Sequence, residues 1–392
     1  MYEILNTPCF IINKEELKFN IDGMNRALKK YWNNYIIGYS CKTNSLPWVL
    51  NFMRKNNCYA EVVSSYEYKL AKKIGYDDKN IIFNGPNKSK DMFLRALDKG
   101  AILNIDSRRE IEWLKENSFN KEIKVGVRVN FDLESECPGE TSFGKEGSRF
   151  GFSYENKQLK KSINELNDIK NVKVVGLHIH NTAKTRSLKI YRAISNVACK
   201  IGEYFDYDLD YVDIGGGFFG GVPGKPTYDE YIKEISECLS SFFNVKKTKL
   251  IVEPGSALIA SPISFLSEVV DVKDTFAKRI VTVNTSRNTI DPFFAKSKYF
   301  FRDDCKSNNI INEQIICGYT CLDNDRLMKL DNYKEFKVGD RIIFDKVGAY
   351  SMCLAPMFIE PFSRVYVDLG NNKYELVREE WDVEEYIQKS KY

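Results

Sequence analysis

The stretch VKVVGLHIH, residues 172–180, is one of eight short apolar runs between residues 35 and 255 that decide the fold. Their lengths and β-branched content suit buried strands. Longer Lys/Glu-rich segments with helical periodicity and polar caps separate the runs. The other seven runs are YIIGYSCK (35–42), CYAEVVS (58–64), NIIFNG (80–85), AILNID (101–106), IKVGVRVN (123–130), LDYVDIGG (209–216) and KLIVEPG (249–255).

Eight strand-helix alternations in this span predict an α/β fold, a (β/α)8 barrel over residues 20–258. An open doubly wound sheet is the competing arrangement, and the count of eight favours the barrel. After Gly255 the runs become short and β-type, with polar turns between them, which predicts a separate β domain over residues 259–392. The run TPCFIIN (7–13) predicts one further strand that joins this β domain.

The composition agrees with a two-domain globular protein. The chain has 392 residues, 29% charged and 43% hydrophobic, which excludes collagen-like, disordered and membrane-spanning classes. A net charge of +4 without a dense basic stripe predicts no nucleic-acid partner. Ten cysteines without a CxxC pair indicate reduced thiols in a cytoplasm, and the first residues show no secretory signal. A structural zinc site has no CxxC pair to start from, and the two histidines, His178 and His180, would alone make a weak metal site, so no metal is predicted.

Unusual side chains follow the predicted barrel strands at their carboxyl ends, where barrels carry their chemistry. Lys42 ends the first run, and it is either a solvent-exposed rim residue or a desolvated amine that forms a Schiff base. His178 and His180 lie two residues apart on a strand, so both face the lumen, with Val174 and Gly176, while Val175 and Leu177 face the helices. Two roles are consistent with these histidines: they bind a metal ion as a pair, or one ring stacks on an aromatic cofactor.

A glycine-rich segment, DIGGGFFGG (213–221), follows the seventh run, and Glu253 follows the eighth. Gly215, Gly216 and Gly217 let backbone N–H groups approach a phosphate closely, and barrels often hold phosphate at this place. A reactive lysine, a stackable ring, a phosphate loop and a carboxylate together match the requirements of pyridoxal 5′-phosphate (PLP). The carboxylate would keep the pyridine nitrogen protonated.

In its motifs the chain resembles the fold-type III PLP-dependent decarboxylases, the group of diaminopimelate, ornithine and carboxynorspermidine decarboxylases. The resemblance implies Lys42 as the Schiff-base lysine, His180 as the ring stacked on PLP, and Glu253 as the pyridinium partner. The motifs that carry it are YSCKTN (39–44), VVSSYE (62–67), FNGPNKS (83–89), GSRFGF (147–152), GLHIHN (176–181), DIGGGF (213–218) and EPG (253–255).

The resemblance continues into the predicted β domain. CGYTCLDND (317–325) is similar to the family's Cys-x-x-x-Asp element, which implies that Cys321 protonates the carbanion after CO2 leaves. GAYSM (348–352) is similar to the element whose tyrosine contacts the cofactor, here Tyr350. The family works as a head-to-tail homodimer with shared sites, which implies that Arg149 pairs with Asp325 across the interface.

Several positions depart from the family pattern. Ser256 stands where an arginine usually follows EPG, and Thr182-Ala183 replace small hydroxyl or glycine residues after the histidine segment. Leu322 follows the cysteine, as in the carboxynorspermidine enzymes. Asp291 stands where diaminopimelate enzymes place an arginine, although Arg287 is close by, so these two and Leu322 are the predicted substrate-binding residues. The pattern argues against a plain diaminopimelate decarboxylase.

The leading hypothesis is therefore α-decarboxylation of an amino acid with an extended, aminated or conjugated side chain, in polyamine- or siderophore-type biosynthesis. The expected partner is a small amino-acid substrate, with no membrane contact. Two alternatives are an amino-acid racemase on the same barrel and a non-catalytic PLP-binding regulatory homologue. Glu253 favours the decarboxylase over the racemase, and the presence of both Lys42 and Cys321 disfavours the regulatory homologue.

Overall fold

The computed structural model describes residues 4–391. The chain divides into two compact units, one formed by Asn20–Ala257 and the other by Met1–Phe19 together with Leu258–Tyr392. No helix among residues 4–391 is both long enough and apolar enough to cross a membrane.

The first unit is a closed barrel of eight parallel strands. Hydrogen bonding follows the order β5-β4-β3-β2-β10-β9-β8-β6, and pairing of β5 with β6 closes the ring. The prediction of a (β/α)8 barrel is thereby confirmed, and the open sheet is excluded. Numbered along the chain, the strands are β2 (Tyr35–Ser40), β3 (Tyr59–Ser64), β4 (Ile81–Asn87), β5 (Ile102–Ile105), β6 (Ile123–Asn130), β8 (Val172–His178), β9 (Tyr211–Asp213) and β10 (Lys249–Val252), with the short β7 (Phe152–Ser153) beside β6.

Helices alternate with these strands, and their ends follow local capping rules. The Ser64 and Ser89 side chains accept hydrogen bonds from backbone N–H groups in the first turns of α3 and α4. Gly75 and Gly100 end the same two helices in the left-handed conformation, which favours glycine. The helices are α1 (Lys14–Tyr31), α2 (Pro47–Lys55), α3 (Ser65–Ile74), α4 (Lys90–Lys99), α5 (Arg108–Lys115), α6 (Leu133–Glu136), α7 (Gln158–Asn167), α8 (Leu188–Gly202), α9 (Tyr228–Leu239), α10 (Ser256–Ile259), α11 (Arg287–Ile290) and α12 (Val383–Ile387).

The second unit is built on a mixed nine-stranded sheet. Its main path is β15-β14-β12-β11-β1-β17-β18, and β16 pairs with both β11 and β13. Strand β1 is antiparallel to β11 and parallel to β17, so the first strand of the chain lies between two strands from its last third. The strands are β1 (Cys9–Asn13), β11 (Ile263–Asp274), β12 (Arg279–Val283), β13 (Phe300–Asp303), β14 (Ile310–Cys317), β15 (Arg326–Lys334), β16 (Arg341–Asp345), β17 (Arg364–Asp368) and β18 (Tyr374–Arg378).

A buried ion pair connects β4 and β5 to the start of α5. Lys88 Nζ lies 2.7 Å from Glu110 Oε1, both side chains are fully buried, and Nζ also donates to the carbonyls of Gly85 and Asn104. The other oxygen of Glu110 accepts the backbone N–H groups of Asp106 and Ser107. Each charge therefore has hydrogen-bond partners on all sides, which a buried charge requires.

A β-bulge changes the orientation of side chains along β8. Val174 pairs with Val125 and Gly176 with Gly126, so Val175 is an extra residue in the ladder. Val175 packs in the barrel interior among Ile36, Ile82, Tyr211 and Ile251, and the prediction that it faces the helices is wrong. Gly176, the residue after the bulge, faces the barrel interior as predicted. A Cβ on Gly176 would lie 2.2 Å from the ring of Tyr211, which belongs to that interior.

Candidate active site

Lys42 lies at the carboxyl end of the first barrel strand. Strand β2 ends at Ser40, and Lys42 belongs to a single helical turn over Cys41–Thr43 rather than to the strand itself. Its Nζ is 3.3 Å from Glu61 Oε2, and 45% of its side chain is exposed against 1% for Glu61. The amine is therefore held against a buried carboxylate while it remains open on its other side.

Glu253 follows β10, the strand next to β2, and lies among polar groups from β4, β8 and β9. Its Oε1 accepts a 2.6 Å hydrogen bond from Asn84 Nδ2, and the same nitrogen donates to Glu61 Oε1 at 3.1 Å. The Glu253 Oε2 atom is 3.5 Å from His178 Nε2. His178, Asp213 and Glu253 place side-chain atoms within 4.8 Å of one another. The structure thus brings Lys42 and Glu253 into one polar cluster through Asn84 and Glu61.

Burial decides the charge of the remaining groups in this cluster. Burial, and next the Arg128 charge, lower the pKa of His180 to about 3 and place the pKa of His178 well below its usual range. Both rings are therefore neutral near neutral pH. Burial, and next the charge of Glu253, raise the pKa of Asp213 well above its usual range, so Asp213 keeps its proton.

The glycine segment wraps closely against these residues. An added Cβ would lie 2.3 Å from His180 Cβ at Gly215, 2.2 Å from the Glu253 carbonyl oxygen at Gly216 and 3.2 Å from Tyr191 Oη at Gly217. Gly215 and Gly217 have positive φ values of 73° and 93°. Asp213 fixes the start of the segment by accepting the Gly215 N–H at 2.8 Å. Only glycine lets the backbone run this close to His180 and to the backbone carbonyl of Glu253.

A family comparison identifies the chemistry of this barrel. The model for the pyridoxal-dependent decarboxylase, pyridoxal binding domain, matches residues 20–260. The chain belongs to the pyridoxal-dependent decarboxylase family. The comparison confirms three predictions: the family, the activity of a PLP-dependent amino-acid decarboxylase, and PLP as the cofactor.

Comparisons over the full chain agree with this assignment. The chain is similar to a diaminopimelate decarboxylase of Aquifex aeolicus, with 24% identity over 97% of this chain and 91% of the relative. A solved diaminopimelate decarboxylase from M. jannaschii has a TM-score of 0.88 and 23% identity, covering 100% of this chain and 93% of the other. One from Helicobacter pylori, complexed with L-lysine, has a TM-score of 0.85 and 23% identity, covering 99% and 97%. None of these relatives supports the expectation of a polyamine- or siderophore-type pathway.

The barrel residues fit the cofactor. Within residues 4–391, both ring nitrogens of His178, His180 Nδ1 and Asp213 Oδ2 are buried without a hydrogen-bond partner, although buried polar atoms normally have one. Gly216 and Gly217 have no side chain that could shield their backbone N–H groups from a phosphate, whereas the Gly215 N–H donates to Asp213. A neutral imidazole, a buried carboxylate and a partly exposed amine are the groups that would contact the ring, its nitrogen and its aldehyde carbon.

The predicted residues of the second unit form a separate cluster around two carboxylates. Asp291 accepts hydrogen bonds from Arg287 Nη2, the Tyr299 hydroxyl and the backbone N–H groups of Ala295 and Lys296. Asp325 is only 3% exposed. Its carboxylate accepts hydrogen bonds from the backbone N–H groups of Arg287 and Thr320 and from the Thr320 hydroxyl. Both predicted polar residues therefore hold the loops of their own unit in place.

The other predicted residues lie at less buried positions. Cys321 and Leu322 are exposed on the loop that Asp325 anchors, and Tyr350 is half-buried with a positive φ of 55°. A non-glycine residue in this conformation often marks a functional turn. Arg149 is exposed on the barrel unit, with its guanidinium 4.2 Å from the ring centre of Phe150. The pairing of Arg149 with Asp325 across an interface stays a prediction.

Sequence reasoning missed the polar residues in the middle of the barrel. Ser40, Glu61, Asn84 and Asn104 are buried and joined by side-chain hydrogen bonds. Their signal was available, because a carboxylate or an amide inside an otherwise apolar buried strand needs a polar partner in the lumen. The apolar runs containing them were used only to count strands.

The close approach of Gly215 to His180 gives a testable expectation for cofactor binding. We expect Gly215→Ala to weaken PLP binding by roughly tenfold, because the methyl group would displace His180 and alanine disfavours this φ. Equilibrium dialysis measures the effect. Gly224→Ala is the matched control, since Gly224 has a φ of 70° and nothing within 4 Å of an added Cβ. Equal losses in the two variants would contradict the role of the close approach.

Proposed function

We propose that this protein removes the α-carboxylate, as CO2, from an amino acid with a long side chain that ends in an amino group. The observation that carries the proposal is the convergence of Lys42, Glu253 and the glycine segment at the carboxyl end of one barrel. When bound, the cofactor supplies an electron sink for the bond that breaks.

Each role in this proposal follows from the charge state of a residue. Lys42 would bind the aldehyde carbon of the cofactor through its amine, close to the Glu61 carboxylate. Glu253 would accept a hydrogen bond from the protonated pyridine nitrogen and so keep it protonated. The neutral ring of His180 would pack against the cofactor, and the glycine segment Gly215–Gly217 would hold its phosphate, with the N–H groups of Gly216 and Gly217 as donors because the Gly215 N–H donates to Asp213.

The second unit contributes proton delivery and substrate recognition in this proposal. Exposed Cys321 delivers a proton to the substrate carbon after CO2 leaves, and Tyr350 contacts the cofactor. These roles need the family's head-to-tail homodimer, in which Arg149 of one subunit approaches Asp325 of the other. Leu322 contacts the substrate side chain.

The charge around Arg287 favours a substrate end without a carboxylate. A distal carboxylate, as in diaminopimelate, needs a cation, and Arg287 is the candidate from the sequence. Its Nη2 lies 2.9 Å from Asp291 Oδ2 and also donates to the Lys296 carbonyl. Because this cation is already neutralised, we place lysine-like or longer aminated substrates ahead of diaminopimelate, although the relatives are named for the latter.

A substrate panel tests the proposal directly. Purified protein with added PLP is assayed for CO2 release from diaminopimelate, ornithine, lysine, arginine, carboxynorspermidine and conjugated amino acids. We expect release from a long, aminated substrate, with a kcat/KM at least about tenfold above that for diaminopimelate. A preference for diaminopimelate would overturn the substrate proposal. Inversion of the substrate without CO2 release would overturn the decarboxylase and support the racemase.

Product analysis tests the role of Cys321. In Cys321→Ala we expect CO2 release to continue, with a growing share of aberrant products, because protonation of the substrate carbon would no longer be directed. Chiral chromatography and mass spectrometry of the amine measure this share. Cys353→Ala is the matched control, since Cys353 is also exposed in the same unit. Unchanged product fidelity in Cys321→Ala would remove the cysteine from the mechanism.

A further inference from the structure

A directed chain of side-chain hydrogen bonds crosses the barrel interior. The Tyr211 hydroxyl donates to Asn104 Oδ1 at 2.7 Å, and Asn104 Nδ2 donates to Asn84 Oδ1 at 2.8 Å. Asn84 Nδ2 then donates to Glu61 Oε1 at 3.1 Å and to Glu253 Oε1 at 2.6 Å. Ionised carboxylates only accept, so Asn84 must turn its NH2 group toward them, and this fixes the orientation of Asn104 as well.

The carboxylates at the end of this chain are deeply buried. Glu61 is 1% exposed and Glu253 is 5% exposed, and one amide nitrogen contacts both. Two carboxylates that share a buried site without a donor between them do not both stay ionised. The donor chain ends between the two charges, where it stabilises both of them.

Other groups contact these carboxylates, but Asn84 is the side chain whose nitrogen donates to both; Ser40 Oγ donates to Glu61 Oε2 alone, at 2.6 Å. Lys42 Nζ contacts Glu61 at 3.3 Å. Arg128 is directed to Asp106 and to the His180 carbonyl. His178 is neutral, and Asp213 keeps its proton beside Glu253. The titratable and charged groups that interact with the two carboxylates are Cys41, Lys42, Glu67, His178, His180, Tyr211 and Asp213.

We infer that Asn84 is a positioning residue that supplies the donor shared by Glu61 and Glu253 and orients both, Glu61 toward Lys42 and Glu253 toward the place of the pyridine nitrogen. Tyr211 and Asn104 hold the amide of Asn84 in the orientation that this role needs. The role of Glu253 toward the pyridine nitrogen rests on the proposed function. The effect of Asn84 on the two carboxylates is a property of the protein alone and is measurable without cofactor or substrate.

Stability as a function of pH tests the inference in the full-length, cofactor-free protein. In Asn84→Ala the two carboxyl groups lose their shared donor, so the folded protein resists the ionisation of both. The unfolded chain does not resist it, and the variant therefore loses stability as the pH rises through the range in which carboxyl groups ionise. We expect the folding equilibrium constant, relative to wild type, to fall roughly two- to threefold further at pH 8 than at pH 5, since a change worth one pKa unit (about tenfold in total) is already partly complete at pH 5 for a glutamate with an ordinary value near 4.3.

Ile82→Ala is the matched control for lost packing. Ile82 is buried two residues before Asn84 on β4, and it packs in the barrel interior without a polar group. Urea denaturation should show a loss of stability in Ile82→Ala that is the same at pH 5 and pH 8. The same pH-independent loss in Asn84→Ala would overturn the inference, because it would reduce Asn84 to a packing residue.

A second variant keeps the test decisive if Asn84→Ala does not fold. Asn84→Ser retains one hydroxyl donor, so its extra loss at pH 8 should have the same direction and be smaller. No extra loss at pH 8 in Asn84→Ser would also overturn the inference. Failure of the decarboxylase proposal is recognised separately, by the absence of CO2 release from wild-type protein, and it leaves these stability curves unchanged.

Discussion

Lys42→Ala is expected to lower the rate of CO2 release by about 10³-fold or more, because the variant loses the amine that anchors the cofactor. The amine is held 3.3 Å from Glu61 and is partly exposed, so no backbone change is needed for it to react. The rate is measured under saturating PLP with the best substrate of the panel.

Borohydride reduction followed by peptide mass spectrometry tests independently whether Lys42 is the residue that binds the cofactor covalently. Wild-type protein should gain a pyridoxyl group on the peptide that contains Lys42, and Lys42→Ala should not. Lys42→Arg is the matched control, because arginine keeps the positive charge beside Glu61 but its guanidinium is a poor nucleophile. A Lys42→Arg rate above about one tenth of the wild-type rate would contradict an anchoring role.

Lys88→Met is expected to destabilise the fold by about 3–5 kcal/mol, because it leaves the Glu110 carboxylate buried without its cation. The Lys88 and Glu110 side chains are both 0% exposed, and Lys88 Nζ also donates to two backbone carbonyls. Urea denaturation at pH 7 measures the free energy of unfolding.

Lys90→Met supplies the comparison for this prediction. Lys90 pairs with Glu116 in the same barrel, but the two side chains are 42% and 57% exposed. An exposed pair contributes roughly 0–1 kcal/mol, so Lys90→Met should change stability little. A similar decrease in the free energy of unfolding in the two variants would show that the buried pair contributes no more to stability than the exposed pair.

The barrel was predictable because its strands are buried on both faces and read as apolar runs between helical segments. All eight runs are strands, although β2 stops at Ser40 and β8 at His178, two residues before the end of each apolar run. In the second unit the short β-type runs after Gly255 correspond to β11, β12, β14, β16, β17 and β18, whereas β13 and β15 lie outside them. The sequence of β15, RLMKLDNYK, carries four charges and lies at a sheet edge, so it lacks a continuous apolar run.

Within the site, residues that interrupt a pattern were the predictable ones. Lys42, His180, the glycines and Glu253 all stand at strand ends, where an unusual residue is conspicuous. Asn84 and Asn104 were not predictable as a unit, because the register between neighbouring strands decides which buried amides meet. The bulge at Val175 was hidden for a related reason, since only the pairing of β8 with β6 reveals the extra residue.

The position of β1 between β11 and β17 has a consequence for biosynthesis. Because β17 lies near the end of the chain, β1 leaves the ribosome long before either neighbour has been translated. The barrel is a continuous segment that can close while the rest is still being made, whereas β1 must wait as an unpaired, apolar strand. The time that it spends without any partner is therefore set by the speed of elongation up to β11, and slow codons within the barrel segment would prolong it.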